Sequence, residues 1–377
     1  MAHVVIAGAG LTGATLARCL AEVGHRVTVH DARDHLAGNC HTSEDAATGV
    51  MVHRYGPHIF HTADTGVRAF LDRFTRFIPY RHRVVTRAGG RVFSMPINLL
   101  TINAFFGTAM GPDAARAHIA AQRVTLPHPP RNFEEQALSL MGRPLYETFF
   151  KGYTEKQWGV AATELPAEIL ARLPFRFTYD DSYFLHPFQA MPDQGYTAMV
   201  AAMLDHPAID IHLNSALSPA PAGDHLVWTG PIDAYFGHRL GRLAYRTLDF
   251  AEIRATGDQQ GIPVMNEADA AVPYTRTTEH RHFSPWREVS GTILYRESSR
   301  DCGPADIPYY PVRLLREKEM LAGYEALAAA TPGVSFAGRL GQYRYLDMDQ
   351  AVRAALDLGA SLIDRLSPRQ GTARAGH

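Results

Sequence analysis

The chain has 377 residues, 46% of them hydrophobic and 20% charged, with a formal net charge of −1. That length buries more than one core and predicts two or three domains, while the near-zero charge gives no whole-molecule attraction to nucleic acid or anionic lipid. Three cysteines (Cys19, Cys40 and Cys302) are too few for a disulfide framework or a zinc site, and no apolar run reaches the ~18 residues of a membrane span; a cytoplasmic protein without nucleic-acid or membrane partners is expected.

Residues 3–7, His-Val-Val-Ile-Ala, read as a buried parallel strand ended by glycine. Residues 11–23 read as a helix with Leu16, Ala17, Leu20 and Ala21 on one face and Gly24 as its stop, and residues 26–30 as a second strand closing on Asp31. Strand, helix and strand in about thirty residues make a βαβ unit and predict an α/β fold. A polar strand region follows at 83–93. Asn98 can cap a helix bearing Leu99, Ile102, Phe105 and Phe106, and Pro112-Asp113 opens another. Asn132 with Glu135 three residues on forms a capping-box pattern that launches a helix through Leu138, Leu140 and Leu145, and Pro166 opens one through Ile169 and Leu170.

From Phe175 the pattern turns strand-like, with Phe175, Phe177 and Tyr179 in alternation, and again at 272–283 and 292–295, which predicts a mixed or antiparallel sheet. A strand at 334–338 precedes a last helix, capped by Asp347 or Asp349, with Val352, Ala355, Leu356, Gly359, Leu362 and Ile363 on its buried face. The predicted organisation is a discontinuous Rossmann-like domain (1–78, 196–240 and 330–366), an inserted helical bundle (97–170), a mixed or antiparallel β-sheet domain (79–96, 171–195 and 241–329) and a disordered tail (367–377).

Gly8-Ala9-Gly10-Leu11-Thr12-Gly13 is a G-x-G-x-x-G run between a strand and a helix. There Gly8 permits the tight turn, Gly10 lets the backbone approach a pyrophosphate, and Gly13 lets the helix pack on the strand. Asp31 stands at the strand end where an acidic side chain binds a ribose hydroxyl, so a dinucleotide site is expected. The stretch after it, with Arg33, a second small-residue turn at Ala37-Gly38 and then Asn39, favours FAD over NAD. Ala37 stands where many flavoproteins carry glycine, which requires it to keep a negative φ. Nineteen histidines make close pairs common by chance, and without an H-E-x-x-H motif no metal site is expected.

The octapeptide Gly152-Tyr153-Thr154-Glu155-Lys156-Gln157-Trp158-Gly159 combines stacking rings and polar donors between two glycine ends, as a nucleobase pocket requires. Together with Tyr55-Gly56-Pro57-His58-Ile59-Phe60-His61, Phe149-Phe150-Lys151, Pro273-Tyr274-Thr275-Arg276, Pro308-Tyr309-Tyr310-Pro311 and the run from Gly338-Arg339-Leu340 to Asp349-Gln350, it resembles the UDP-galactopyranose mutase family over residues 3–365. The resemblance implies a flavoenzyme that interconverts pyranose and furanose forms of a nucleotide sugar. Reduced FAD would present N5 to the anomeric carbon, with no net redox change.

Residue by residue, the resemblance implies that Phe149, Phe150, Tyr153, Thr154 and Trp158 form the nucleotide pocket and that Arg172 and Arg276 grip the diphosphate. Tyr183, Tyr310 and Tyr345 would donate around it, with His58 against the flavin, Arg339 near the FAD pyrophosphate, Asp347 beside Tyr345, and Met348 following at the cofactor. Asn266 matches the family, as does Arg246, which equally fits a structural charge. A homodimer is implied, with the helical insertion carrying the interface. His82 stands where many members have asparagine, so the sugar is galactose or another, such as a deoxyhexose or pentose. An FAD-dependent oxidoreductase shares the fold but leaves the octapeptide and the two arginines unexplained.

Overall fold

The structure, a computed structural model, describes residues 1–172, 175–218, 220, 223–312 and 315–367, with the side chains of 171, 172, 315 and 316 outside that set. The predicted tail lies outside it apart from Ser367. The chain opens as β1 (His3–Ala7), α1 (Leu11–Glu22) and β2 (Arg26–His30). β1 is the centre of a five-stranded sheet ordered Ile209–His212, β2, β1, His225–Trp228, Val334–Phe336, in which every pairing is parallel. α1 buries Leu16, Ala17, Leu20 and Ala21, and the last helix, Met348–Leu366, packs against it through a stripe that includes Val352, Ala355, Gly359 and Leu362. A parallel sheet needs cover on its faces, and α1 supplies it on one, with the last helix packed against α1. Among the described residues no helix is long and apolar enough to cross a membrane.

A seven-stranded sheet is ordered Tyr310–Pro311, Tyr245–Thr256, Gly291–Asp301, Arg276–Glu279, Val264–Glu267, Val84–Ala88, Arg91–Met95. Its pairings are antiparallel except that between Val264–Glu267 and Val84–Ala88. Between the sheets in sequence run the helices Leu99–Phe106, Pro112–Gln122 and Phe133–Met141, a π-helix at Tyr146–Lys151, and the helix Gly152–Trp158. Asn98 caps the first as predicted, its Oδ1 accepting from Thr101 N at 3.1 Å.

Several expectations are corrected. The helix from Asn132 does not continue to Leu145, because Gly142 breaks it with φ +79°. The capping box there is half formed: Asn132 Oδ1 accepts from Glu135 N, but the Glu135 carboxylate takes Arg131 N rather than Asn132 N. The helix opened by Pro166 is the 3₁₀ segment Ala167–Arg172. Phe175, Phe177 and Tyr179 lie in no strand; the two phenylalanine rings pack edge to face at 5.3 Å while the backbone bonds irregularly to Ile97 and Leu99. Of 272–283 only Arg276–Glu279 is a strand, followed by a 3₁₀ turn at His280–Phe283. Gly152 is not a flexible end, since it sits inside the helical run with helical φ and ψ. The twelve-residue strand Tyr245–Thr256 was not predicted, because Glu252 and Arg254 in its exposed half mask the apolar alternation.

Ala37 also departs from expectation. It is buried with φ +73°, beside Gly38 at φ +54°, and its backbone bridges to Gly10. A Cβ in that region of φ and ψ costs about 1–2 kcal/mol, partly offset by the greater unfolded-state freedom of glycine. Ala37→Gly is therefore expected to stabilise the protein by roughly 0.5–1 kcal/mol, measured by denaturant unfolding; a destabilised variant would contradict this account of the turn.

Candidate active site

The glycine loop closes tightly on β1. Gly8 takes φ +115° and donates its N–H to His30 O at 2.7 Å, and a Cβ on Gly13 would stand 2.0 Å from Gly8 O. Gly10 faces Gly38 across the second turn, where a Cβ on Gly38 would lie 3.2 Å from Gly10 Cα. Asp31 braces this loop, accepting from Ala9 N at 2.8 Å and from Arg33 N at 2.9 Å, with lone pairs left over for a further donor. Arg33 donates from Nη2 to Asn39 Oδ1 at 2.7 Å and lies 4.6 Å over the Tyr55 ring. Its Nη1 is buried with no partner among the described residues. Met348, at the start of the last helix, receives the Cys40 thiol at 3.7 Å. Opposed glycine turns, an acidic strand end and an orphaned guanidinium nitrogen suit the ribose and phosphates of a dinucleotide.

Arg276 marks the other end of the site. Its strand runs antiparallel to Gly291–Asp301 with Arg276 directly opposite Glu297, and Nε and Nη2 both lie 2.8 Å from Glu297 Oε2. Glu297 is 1% exposed. Burial opposes the Arg276 charge, but the adjacent Glu297 carboxylate holds its pKa well above the ordinary arginine value, with Tyr153 and Tyr310 also within electrostatic reach. Tyr183, His58 and His82 also lie within its electrostatic reach. Burial raises all three tyrosines, Tyr310 to about 12, so at neutral pH they are neutral donors. Tyr310 stacks on Tyr345 with centroids 5.8 Å apart, and Arg339 lies 4.8 Å over the Tyr345 ring while donating to Leu346 O.

His58 joins the two ends. Burial and the nearby Arg339 charge push its pKa down to about 4, and Nδ1 lies 2.9 Å from Gly56 O. The neutral ring thus carries its proton on Nδ1 and leaves Nε2 as an acceptor. Asp347 is the N-cap residue of Met348–Leu366, and its charge reaches His61, whose Nδ1 lies 2.8 Å from His186 Nδ1.

Around the octapeptide, Tyr153 and Trp158 are half-buried and Thr154 is buried. Phe150 is buried, and so is Phe149, whose ring is 5.0 Å from Phe93 and 5.4 Å from Phe105. Arg246 is buried beneath Gly159, bound to Ser299 Oγ at 3.0 Å and to Asp301, so it braces the C-terminal end of the helix. Asn266 pairs with Arg276 across the strands. His82 is buried among Tyr80, Tyr183, Phe184 and Phe283, all within 6.1 Å between centroids. Arg172 ends its 3₁₀ segment, and its side chain lies outside the described residues.

The sequence reading missed Glu297 and the His61–His186 pair. Glu297 had a signal: it shares a strand face with Tyr295, and a carboxylate at such a buried position needs a cation.

Residues 148–345 match the family model described as UDP-galactopyranose mutase, and residues 6–74 match an NAD(P)-binding Rossmann-like domain. A relative from Klebsiella pneumoniae, named probable UDP-galactopyranose mutase, is 49% identical over 94% of this chain and 93% of its own length. The chain belongs to the UDP-galactopyranose mutase family. Membership makes it an isomerase of nucleotide sugars. It does not fix the sugar, because a dTDP-fucopyranose mutase from Escherichia coli is 44% identical over 95% of this chain and 97% of its own length. A crystal structure of reduced UDP-galactopyranose mutase shares the fold at a TM-score of 0.77 and 15% identity, covering 98% of this chain and 95% of that one.

Burial also lowers His41 to about 4 and His82 and His280 to about 3, so with His58 four histidines stay neutral when folded but protonate near pH 6.5 when unfolded. The unfolded chain then binds more protons as pH falls from about 6.5 toward 4. Stability is expected to be full above that window and to fall within it by up to about 1.4 kcal/mol per pH unit for each histidine, read from denaturant unfolding. A flat profile between pH 6.5 and 4.5 would contradict the assigned burial.

Proposed function

We propose that this enzyme interconverts the pyranose and furanose forms of a sugar carried on a nucleoside diphosphate, using FAD. The observation that carries the reading is Arg276, held edge-on by Glu297 among the tyrosines and within reach of His58. Nε and one face of Nη2 are taken by the carboxylate, which leaves Nη1 and the remaining Nη2 hydrogen for a diphosphate. As the anomeric C–O bond breaks, charge collects on that diphosphate. A guanidinium already fixed in place stabilises it without reorganising. Because Glu297 offsets the Arg276 charge, the reading also calls on Arg172. Tyr153, Tyr183 and Tyr310 would supply neutral donors, Tyr345 a further hydroxyl, and together they would exclude water from the broken bond.

FAD would be held by Gly8, Gly10, Gly13, Asp31, Arg33, Asn39, Arg339 and Met348, where the orphaned Arg33 Nη1 and the opposed glycine turns fit a pyrophosphate and ribose. Bound and reduced, the flavin supplies the nucleophile for the anomeric carbon. The N-terminus of Met348–Leu366, at Asp347, favours negative charge on a nearby ring, and His58 Nε2 offers a lone pair to a nearby proton. Trp158, Tyr153 and Thr154 would hold the base over Phe149 and Phe150.

The sugar is of the galactose type in the first reading. A 6-deoxyhexose is favoured by one observation, the aromatic surroundings of neutral His82. The imidazole, packed against the Tyr183 and Phe184 rings, is bulkier than an amide side chain, and a methyl group fits beside it more readily than a hydroxymethyl group.

Anaerobic incubation with UDP-galactofuranose and dTDP-fucofuranose, with and without dithionite, tests the reading. Expected is catalytic ring interconversion by the reduced enzyme without stoichiometric loss of reductant, with the deoxysugar preferred if the His82 wall faces C6. Arg276→Ala should lower kcat/KM by about a thousandfold or more, equivalent to ~4 kcal/mol of lost transition-state stabilisation. Turnover by the oxidised enzyme, or an unimpaired Arg276→Ala variant, would overturn it.

A further inference from the structure

The helix Gly152–Trp158 is fastened to the turn before Arg276 by one ammonium group, while Ser299 Oγ on the strand Gly291–Asp301 donates to Gln157 O at 2.7 Å. Lys156 Nζ lies 2.8 Å from Glu267 O, 2.9 Å from Asp269 O, 3.1 Å from Val272 O and 3.0 Å from Tyr274 O. Three N–H donors thus face four carbonyl oxygens, so one hydrogen is shared. All four carbonyls belong to one connection, the turn from the strand Val264–Glu267 to the strand Arg276–Glu279. The ammonium draws the two ends of that turn together, beside the backbone bond from Glu267 N to Thr275 O at 2.8 Å. Gly152 brings the other end of the helix onto the same turn, where a Cβ would stand 2.4 Å from Ala268 O and 3.0 Å from Ala270 N.

The consequence is geometric. Arg276 leaves the turn two residues after Tyr274, while Tyr153 and Trp158 ride on the helix above it. We propose that Lys156 is a positioning residue for nucleotide binding, its ammonium filling a carbonyl cage that sets the distance between the base pocket and Arg276. This rests on the nucleotide-sugar reading above. Four carbonyls around one cation resemble the way a channel filter replaces an ion's hydration shell, and a compact ammonium fits such a cage where a planar guanidinium does not. The role is binding rather than bond-breaking, so its loss weakens ground state and transition state alike.

The test measures UDP and dTDP dissociation constants on the full-length flavoprotein by calorimetry, alongside steady-state kinetics. Lys156→Met is expected to raise KM and the dissociation constant by about 10–100-fold while kcat falls less than about threefold, the pattern of lost uniform binding. Lys156→Arg, which keeps the charge but not the shape, should weaken binding severalfold and carries the test if Lys156→Met fails to fold. In Lys156→Ala, ammonium chloride should tighten binding relative to sodium chloride at equal ionic strength. Folded variants that bind within twofold of wild type, or that lose kcat with KM unchanged, overturn the inference. A wild-type protein that binds neither nucleotide overturns the nucleotide-sugar reading, and the inference with it.

Discussion

The Arg276–Glu297 pair is the constraint on which the site depends. Glu297 is essentially sealed from solvent, and a carboxylate there is tolerable only with a cation fixed against it. The sheet provides that cation by placing the two residues directly opposite on antiparallel neighbours, with Asn266 opposite Arg276 on the other side. Removing one member of such a pair typically costs about 3–5 kcal/mol, because the survivor is left buried and charged. A guanidinium held along one edge still offers hydrogens along another. The same interaction that makes Glu297 tolerable therefore presents Arg276 in a fixed direction.

The remaining parts of the site are arranged around that fixed point from separate stretches of chain. The segment 53–61 runs between two small antiparallel sheets and carries His58, whose N–H reaches His53 Nδ1 at 3.3 Å and whose ring is held to Gly56 O. The segment 338–348 returns along the other side with Arg339 over Tyr345, ending at the cap of the last helix. The helix 152–158 comes down onto the turn that leads into Arg276. Burial keeps His58, His82 and Tyr310 neutral at neutral pH, while Glu297 keeps Arg276 charged against burial. That combination suits bond cleavage with charge building on a leaving group.

Local chemistry was legible in the sequence. The caps at Asn98 and Asp347, the helix α1 and the glycine loop are each written within a few residues, and β1 and β2 show as short β-branched runs although both also pair with strands distant in sequence. What depended on partners distant in sequence was not. Phe175 and Phe177 alternate like a strand, yet among the described residues the segment pairs with no strand, and the two rings pack on each other. Tyr245–Thr256 is a strand despite its charges, because it pairs along its length with Gly291–Asp301. Among the site residues, Arg276 stood out by its motif, whereas Glu297 became interpretable only once the strand register put it opposite. Ala37 reads as a tolerable substitute for glycine until the turn is seen to demand positive φ.

The most direct measurement is a double-mutant cycle on UDP and dTDP binding, with Arg276→Lys, Glu297→Gln and the double variant compared with wild type by calorimetry. If Glu297 holds Arg276 in the direction a diphosphate requires, the two effects are strongly non-additive, with a coupling of about 1–3 kcal/mol. Additive effects, or affinities close to wild type in both single variants, would contradict the account.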